Sequence, residues 1–256
     1  MQTTDHEKAA LVLLSGGLDS AVTALSAKSL GYGLHGLTFV YGQRHEVETK
    51  YAALLAQTMG FISHRVLELS AFLPGNSALT DGSIEVPKHR IESEIDGGGI
   101  PITYVPARNT IFLAYAVAFC EQLGLEDVFL GVNSLDYSGY PDCRPEFLRA
   151  FEELAALATQ AAVEEGRRVR IRAPLLHRTK ADIIRLGNEL GLDFTGTWSC
   201  YDPVFVPTED GEKTAVACGA CDSCLLRQRG FRAAGVLDPT PYRSGDDSSG
   251  HNGKQG

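Results

Sequence analysis

Apolar residues along the chain fall into short runs, set between breaks rich in glycine and polar side chains, and the runs alternate with stretches of helical period. Leu11 to Leu14 is a run too short for a helix, the pattern of a strand covered on both faces. Ser15-Gly16-Gly17 follows at once, and a helical pattern opens at about Leu18 and closes near Leu30, ahead of Gly31 and Gly33. Gly36 to Tyr41, rich in β-branched and aromatic residues, predicts a second strand. A helix from about Glu46 to Met59 is closed by Gly60, and the alternation over residues 62–69 predicts a third strand. Further along come a helix from about Thr110 to Leu123, a strand from Asp127 to Val132, and one long helix after Phe147 to about Glu165. Val169 to Arg172 predicts a fifth strand, and Thr179 caps a helix that stops near Gly191.

Strands that alternate with helices predict an α/β fold, a Rossmann-like parallel sheet of about five strands with right-handed crossovers and helices on both faces. Residues 70–107 break the alternation: Pro74, Gly75, Pro87, Gly97 to Gly99, Pro101 and Pro106 predict a long loop or lid. The expected organisation is a flexible stretch over residues 1–9, an α/β domain over 10–195, a small cysteine-bearing region over 196–243, and a disordered Gly/Ser/Asp-rich tail over 244–256. A length of 256 residues suits one large domain with such an appendage, and 44% hydrophobic residues is ordinary for a globular core. No apolar stretch approaches a membrane span, and the polar start of the chain carries no signal-peptide core, so a cytoplasmic protein is expected. A net charge of −9 argues against a protein whose main task is gripping nucleic acid, and leaves room for a small anion in a locally basic pocket.

Strand, glycine turn and helix in succession present backbone N–H groups to a phosphate. Gly16 and Gly17 would let the backbone come close to the anion, and Ser15 and Ser20 would add hydroxyl donors. Asp19 among phosphate oxygens is repulsive unless a cation bridges them, so Mg²⁺ is expected there. The stretch lacks the Lys-Ser/Thr ending of a Walker A loop and the G-x-G-x-x-G of dinucleotide folds. Of the six cysteines, Cys218, Cys221 and Cys224 share a C-x-x-C-x-x-C turn, and Cys200 can fold back as a fourth thiolate. Four thiolates suit one closed structural Zn²⁺ site; an iron–sulfur cluster is the rival. Cys120 reads as core, and Cys143 as structural or a pocket wall. Arg44 and His45 follow a strand end, where ligands gather in open parallel sheets, and Arg108-Asn109 opens a helix with a guanidinium fork for carboxylate or phosphate. In the dense stretch from Asp136 to Glu146, Tyr137, Tyr140 and Asp142 could hold a planar purine-like ring, and Arg144 an anionic group. Lys180, at the start of the helix after the fifth strand, could reach transferred phosphates; Asp182 could orient it, bind metal, or simply favour the helix dipole.

The Ser15 to Ser20 string resembles the pyrophosphate loop of the ATP pyrophosphatases. Together with Tyr41 to His45, Val105 to Asn109, Ser138 to Arg144, the Lys180 helix and the four cysteines, it resembles the 7-cyano-7-deazaguanine synthases of queuosine precursor biosynthesis over about residues 10–235. The resemblance implies that Leu14, Ser15, Gly16, Gly17, Leu18, Asp19, Ser20, Ala21, Val22, Thr23 and Ala24 bind ATP with Mg²⁺, and that Asp19, Lys180 and Arg108 are catalytic. Arg44, His45, Asn109, Tyr137, Tyr140, Asp142 and Arg144 would bind 7-carboxy-7-deazaguanine, with one structural zinc on Cys200, Cys218, Cys221 and Cys224. It further implies a homodimer; no glutamine-hydrolysing domain is apparent, so free ammonia is the expected nitrogen source, and the charge and the lack of apolar spans predict no nucleic-acid or membrane partner. Two departures stand out: Ala107 where the family has Gly, and a long gap between Cys200 and Cys218 that predicts an inserted hairpin around Pro207 to Glu212. An ATP pyrophosphatase acting on a tRNA base would want a basic appendage, which the charge does not suggest, and a zinc-ribbon nucleic-acid module leaves the 200 residues before the cysteines unexplained.

Overall fold

The structure, a computed structural model, describes residues 8–43, 47–69, 76–95, 97, 99–134 and 139–243. Its element order is β1 (Ala9–Leu13), α1 (Leu18–Ser29), β2 (Gly33–Val40), α2 (Val47–Thr58), β3 (Ser63–Glu68), α3 (Glu92–Ile95), α4 (Arg108–Leu123), β4 (Asp127–Phe129), α5 (Pro145–Ala158), α6 (Gln160–Glu165), β5 (Arg170–Arg172), α7 (Lys180–Glu189), β6 (Val204–Pro207), β7 (Lys213–Val216) and α8 (Asp222–Ala234).

The five predicted strands form one all-parallel sheet in the order β3-β2-β1-β4-β5, with Leu11 opposite His35 on one side and Val128 on the other. The chain steps outward from β1 to β3, then returns to the far side of β1. That reversal opens a crevice beyond the carboxyl ends of β1 and β4, where open sheets hold ligands. Alternate residues of β1 feed two different cores, as a period of two requires. Leu11 and Leu13 pack with Leu113, Ala116 and Val117 of α4 and Leu148 and Phe151 of α5. Ala10 and Val12 pack with Ala21 and Val22 of α1, Leu55 of α2 and Ile183 and Ile184 of α7. The sheet therefore lies between two helical layers. Phe231 of α8 joins the second of these cores, so the cysteine-bearing end of the chain is anchored in the α/β core.

Three expectations change. The long helix to Glu165 is two helices, broken at Thr159 (φ −109°, ψ 142°). There the buried Thr159 hydroxyl donates back to the Ala155 carbonyl, and Glu121 of α4 accepts the Ala161 N–H that opens α6. The fourth strand ends at Phe129 instead of Val132, because its partner β5 ends at Arg172. In the stretch expected as a lid, residues 76–95 are tied down: Lys88 forms a bridge with Cys221 and pairs with Asp202 at 2.6 Å, and Arg90 pairs with Asp222 at 2.8 Å. The hairpin expected between Cys200 and Cys218 is present as β6 and β7. Residues 1–7 of the expected flexible start and the tail over 244–256 lie outside the described residues. No helix among the described residues is long and apolar enough to cross a membrane.

Candidate active site

The crevice at the sheet reversal holds a cavity of about 250 Å³, and the glycine turn forms its floor. Gly16 adopts φ +83°, and a Cβ there would lie 2.2 Å from the Glu48 carbonyl oxygen and 2.8 Å from the Ala52 nitrogen. Its glycine is thus demanded by backbone sign and by α2 lying directly on the turn, a tertiary reason added to the sequence one. The serines tie the turn to itself: Ser15 N–H and hydroxyl both donate to Ser20 Oγ at 3.1 Å, Gly17 N–H donates to Ser15 Oγ at 3.2 Å, and Ser20 Oγ donates to the Gly17 carbonyl at 3.0 Å. Leu14, Ser15, Gly17, Leu18, Asp19 and Ser20 line the cavity. Gly16 sits beneath it, and Ala21, Val22, Thr23 and Ala24 are fully buried in the core, where they aim α1.

Lys180 reaches Asp19 across the fold, with Nζ 2.8 Å from each carboxylate oxygen. Thr179 and Asp182 form a reciprocal cap on α7 that fixes where Lys180 leaves the helix. Asp182 is exposed, pairs with Arg185 at 2.8 Å, and does not meet Lys180; its role is the cap. Space for the Lys180 stem comes from α8: a Cβ on Gly230 would fall 2.4 Å from Lys180 Cγ. Nothing in the sequence around Gly230 signals this.

Arg108 stands at the start of α4, behind Ala107, which adopts the left-handed conformation (φ 54°, ψ 22°). A side chain there is strained by about 1–2 kcal/mol, a cost that glycine would not carry. Arg108 Nη1 donates to Tyr41 Oη at 3.5 Å. Burial opposes its charge, but Tyr41, Cys143, Tyr140 and Asp142 around it outweigh burial and hold its pKa above the ordinary value. Asn109 lines the cavity and is tied to Asp142: Asn109 N–H donates to Asp142 Oδ2 at 3.0 Å, and Asn109 Nδ2 donates to the Asp142 carbonyl at 3.0 Å and to Cys143 Sγ at 3.3 Å. Asp142, expected as a purine acceptor, caps α4 instead and lies off the cavity wall, as does the exposed Arg144, which precedes α5. Tyr140 and Cys143 do line the cavity; Tyr140 Oη and Thr103 Oγ1 share a hydrogen bond of 2.6 Å, and burial pushes the Cys143 thiol up to about 11. Arg44, His45 and Tyr137 lie outside the described residues.

Glu48, Thr49 and Arg227 also line the cavity, and none was marked by sequence. Glu48 lies in the first turn of α2, where an acid is ordinary on dipole grounds alone. Burial raises its pKa to about 7, with Arg108 pulling the other way. Arg227 is buried on α8, pairs with Asp238 at 3.1 Å, and donates to Thr197 Oγ1 at 2.9 Å and Ser199 Oγ at 3.2 Å.

Behind that wall, the sulfurs of Cys200, Cys218, Cys221 and Cys224 all lie within 4.8 Å of one another, with Cys218 and Cys224 4.0 Å apart. Four sulfurs around one tetrahedral ion with ~2.3 Å bonds are separated by about 3.8 Å, so the set fits a single metal ion. Backbone N–H groups of Cys218 and Asp202 point at Cys200 Sγ, those of Ala220 and Cys221 at Cys218 Sγ, and α8 begins beside Cys221, all of which favour thiolates. Hydrogen bonding with the neighbouring thiols of Cys200, Cys221 and Cys224 holds the Cys218 thiol below its ordinary pKa. The cluster meets the glycine turn through Trp198, whose N–H donates to the Gly16 carbonyl at 2.9 Å and whose indole donates to the Cys200 carbonyl at 3.1 Å.

A family model described as queuosine biosynthesis protein QueC matches residues 9–235, the span from β1 to the end of α8. A 7-cyano-7-deazaguanine synthase of Methylococcus capsulatus is 54% identical over 237 residues, 93% of this chain and 100% of the relative. One from Rhodopirellula baltica is 53% identical over 230 residues, 90% of each chain. A solved NMN synthetase of Francisella tularensis is 16% identical, covers 91% of this chain and 89% of that one, and reaches a TM-score of 0.42, too slight a likeness to argue from. With the sheet reversal, the glycine turn, the Asp19–Lys180 pair and the four cysteines all inside the matched span, the chain belongs to the queuosine biosynthesis protein QueC family.

Proposed function

We propose that this chain converts 7-carboxy-7-deazaguanine, ammonia and ATP to 7-cyano-7-deazaguanine. The observation that carries this is the meeting of Asp19 and Lys180 over a glycine turn at the sheet reversal, within a chain that spans relatives bearing that name end to end. A carboxylate is a poor electrophile, and transfer of a phosphoryl or adenylyl group to its oxygen supplies a leaving group. Ammonia then gives an amide. Converting the amide to a nitrile removes the remaining oxygen, which calls for a second ATP. The N–H groups at the start of α1 would receive the nucleotide's phosphates. Asp19 would hold the Mg²⁺ that travels with ATP, and Lys180, released from its pairing, would face the phosphate oxygens as charge develops on them. Arg108 would meet the substrate carboxylate, against a wall of Tyr140 and Cys143. Asn109 and Asp142 would set the start of α4, and so the direction of Arg108.

One Zn²⁺ on the four cysteines would act as a brace, with no position left open for chemistry. Elemental analysis is expected to return one zinc per chain; iron, or no metal, counts against it. The homodimer is likewise part of this proposal, checked by sedimentation. The test of the reaction is mass spectrometry of the product with ATP and Mg²⁺, with and without ammonium. The nitrile is expected only with ammonium, and unchanged substrate in a zinc-replete preparation overturns the reading.

A further inference from the structure

Between ammonia and a nitrile, the nitrogen gives up all three of its protons. Some group in the cavity has to take them, and the wall offers few acceptors. Asp19 is occupied by Lys180, and Asp142 is occupied by the start of α4 and lies off the wall. Tyr41 and Cys143 are driven upward by burial, so they hold their own protons at neutral pH and accept none. Among the described residues, Glu48 is the carboxylate of this wall left without a hydrogen bond or ion pair. Its neighbour Thr49 lines the same cavity with a buried hydroxyl that has no partner. Two adjacent side chains of the first turn of α2 therefore present unmet polar atoms to one space, as a small polar guest would require.

We propose that Glu48 is a catalytic residue, the base that receives the protons leaving the incoming nitrogen, with Thr49 as a hydrogen-bond partner for ammonia. The inference rests on the synthase reading above. In the amide step the ammonia lone pair forms the C–N bond at the activated carbonyl carbon. The C–O bond breaks with its electron pair going to the phosphorylated oxygen, and one N–H proton passes to the Glu48 carboxylate. In the nitrile step the activated amide oxygen leaves in the same way, and the two remaining N–H protons pass in turn to Glu48 as C≡N forms. After each transfer the carboxylic acid gives its proton to solvent. Among the described residues, the groups that face Glu48 are Arg108 from α4 and Tyr41 from the end of β2. With a pKa raised to about 7, the side chain is a stronger base than an ordinary carboxylate and still empties near neutrality.

The test uses the full chain as Glu48→Gln and Glu48→Asp, supplied with the carboxylate substrate, ATP, Mg²⁺ and ammonium in single-turnover mixing. The first-turnover release of ATP's leaving group, pyrophosphate or ADP, reads carboxylate activation before any C–O bond breaks, and mass spectrometry reads amide and nitrile. Glu48→Gln is expected to keep activation within threefold, to lower amide and nitrile formation about a hundredfold or more, and to lose a limb near pH 7 from the kcat/KM profile for ammonium; Glu48→Asp is expected to restore part of the rate. A Glu48→Gln protein that makes nitrile within threefold of the parent overturns the proposal. So does one that loses activation and amide formation alike, since that is what damage to the ATP site would do. If the parent protein itself makes no nitrile, the synthase reading falls first, and this inference with it.

Discussion

Two carboxylates and two cations share the wall of one cavity and are held in opposite ways. Asp19 and Lys180 have closed on each other, with Nζ 2.8 Å from both oxygens. Glu48 and Arg108 stand unjoined: the guanidinium leans on Tyr41, and the carboxylate has no partner among the described residues. A closed pair balances its charges, and in the proposed function it would open to an incoming polyanion and its metal. An open pair in a poorly solvated pocket leaves the acid's proton loosely poised, because burial favours the neutral form and the nearby cation favours the charged one. The difference comes from the backbone: the two closed partners rise from helix starts aimed at each other, whereas Arg108 follows a strained turn that sends it to an aromatic ring.

Removing the closed pair is expected to have the largest effect. Asp19→Ala and Lys180→Ala are each expected to lower kcat roughly a thousandfold while leaving the circular dichroism unchanged, and a rate within tenfold of the parent excludes that residue from the chemistry. Gly230→Ala disturbs the same pair without altering a charge. A methyl group 2.4 Å from Lys180 Cγ is expected to cost about 1–3 kcal/mol in denaturant titration and to lower kcat several-fold. Unchanged stability and rate would mean that α8 yields there.

The open pair is sharpened through pH. The folded state keeps a proton on Glu48 up to about pH 7, whereas the unfolded chain releases it near the ordinary carboxylate value. The stability contribution is therefore full below that ordinary value and is lost as pH rises through 7. Glu48→Gln, which cannot ionise, is expected to be more stable than the parent by about 1–2 kcal/mol at pH 8, with the advantage gone by about pH 4, in parallel thermal melts. An advantage independent of pH overturns the titration. The smallest expected effect is Ala107→Gly, which releases the left-handed strain before Arg108: about 1 kcal/mol of added stability, with KM for the carboxylate substrate within twofold. A loss of stability would show that the neighbouring contacts of Ala107 outweigh its backbone sign.

Sequence reading reached those elements whose cause is local. Leu11 to Leu14 read as a covered strand because every position in the run is apolar, and Thr179 with Asp182 marked a helix start because a cap is made by neighbours in the chain. Cysteine spacing brought four thiolates together for the same reason, three of them on one turn. The bond from Asn109 N–H to Asp142 was not legible, because a carboxylate in a loop looks the same whether or not a helix end meets it, and only the approach of α4 decides. The residues over 76–95 looked unstructured because their partners, Ala220, Cys221 and Asp222, stand more than a hundred positions away.

The order of apolar runs, glycine turns and thiols along this chain was sufficient to determine a parallel α/β sheet, a glycine turn between its first strand and helix, and a cluster of four cysteines, since each follows from backbone geometry or from side chains close in sequence. Tertiary structure alone decided that Lys180 meets Asp19, that Gly230 makes room for it, and that Glu48 is left without a partner among the described residues, near Arg108. Those are properties of distance and of solvent excluded by packing, and neither is written in the identity of any single residue or its neighbours.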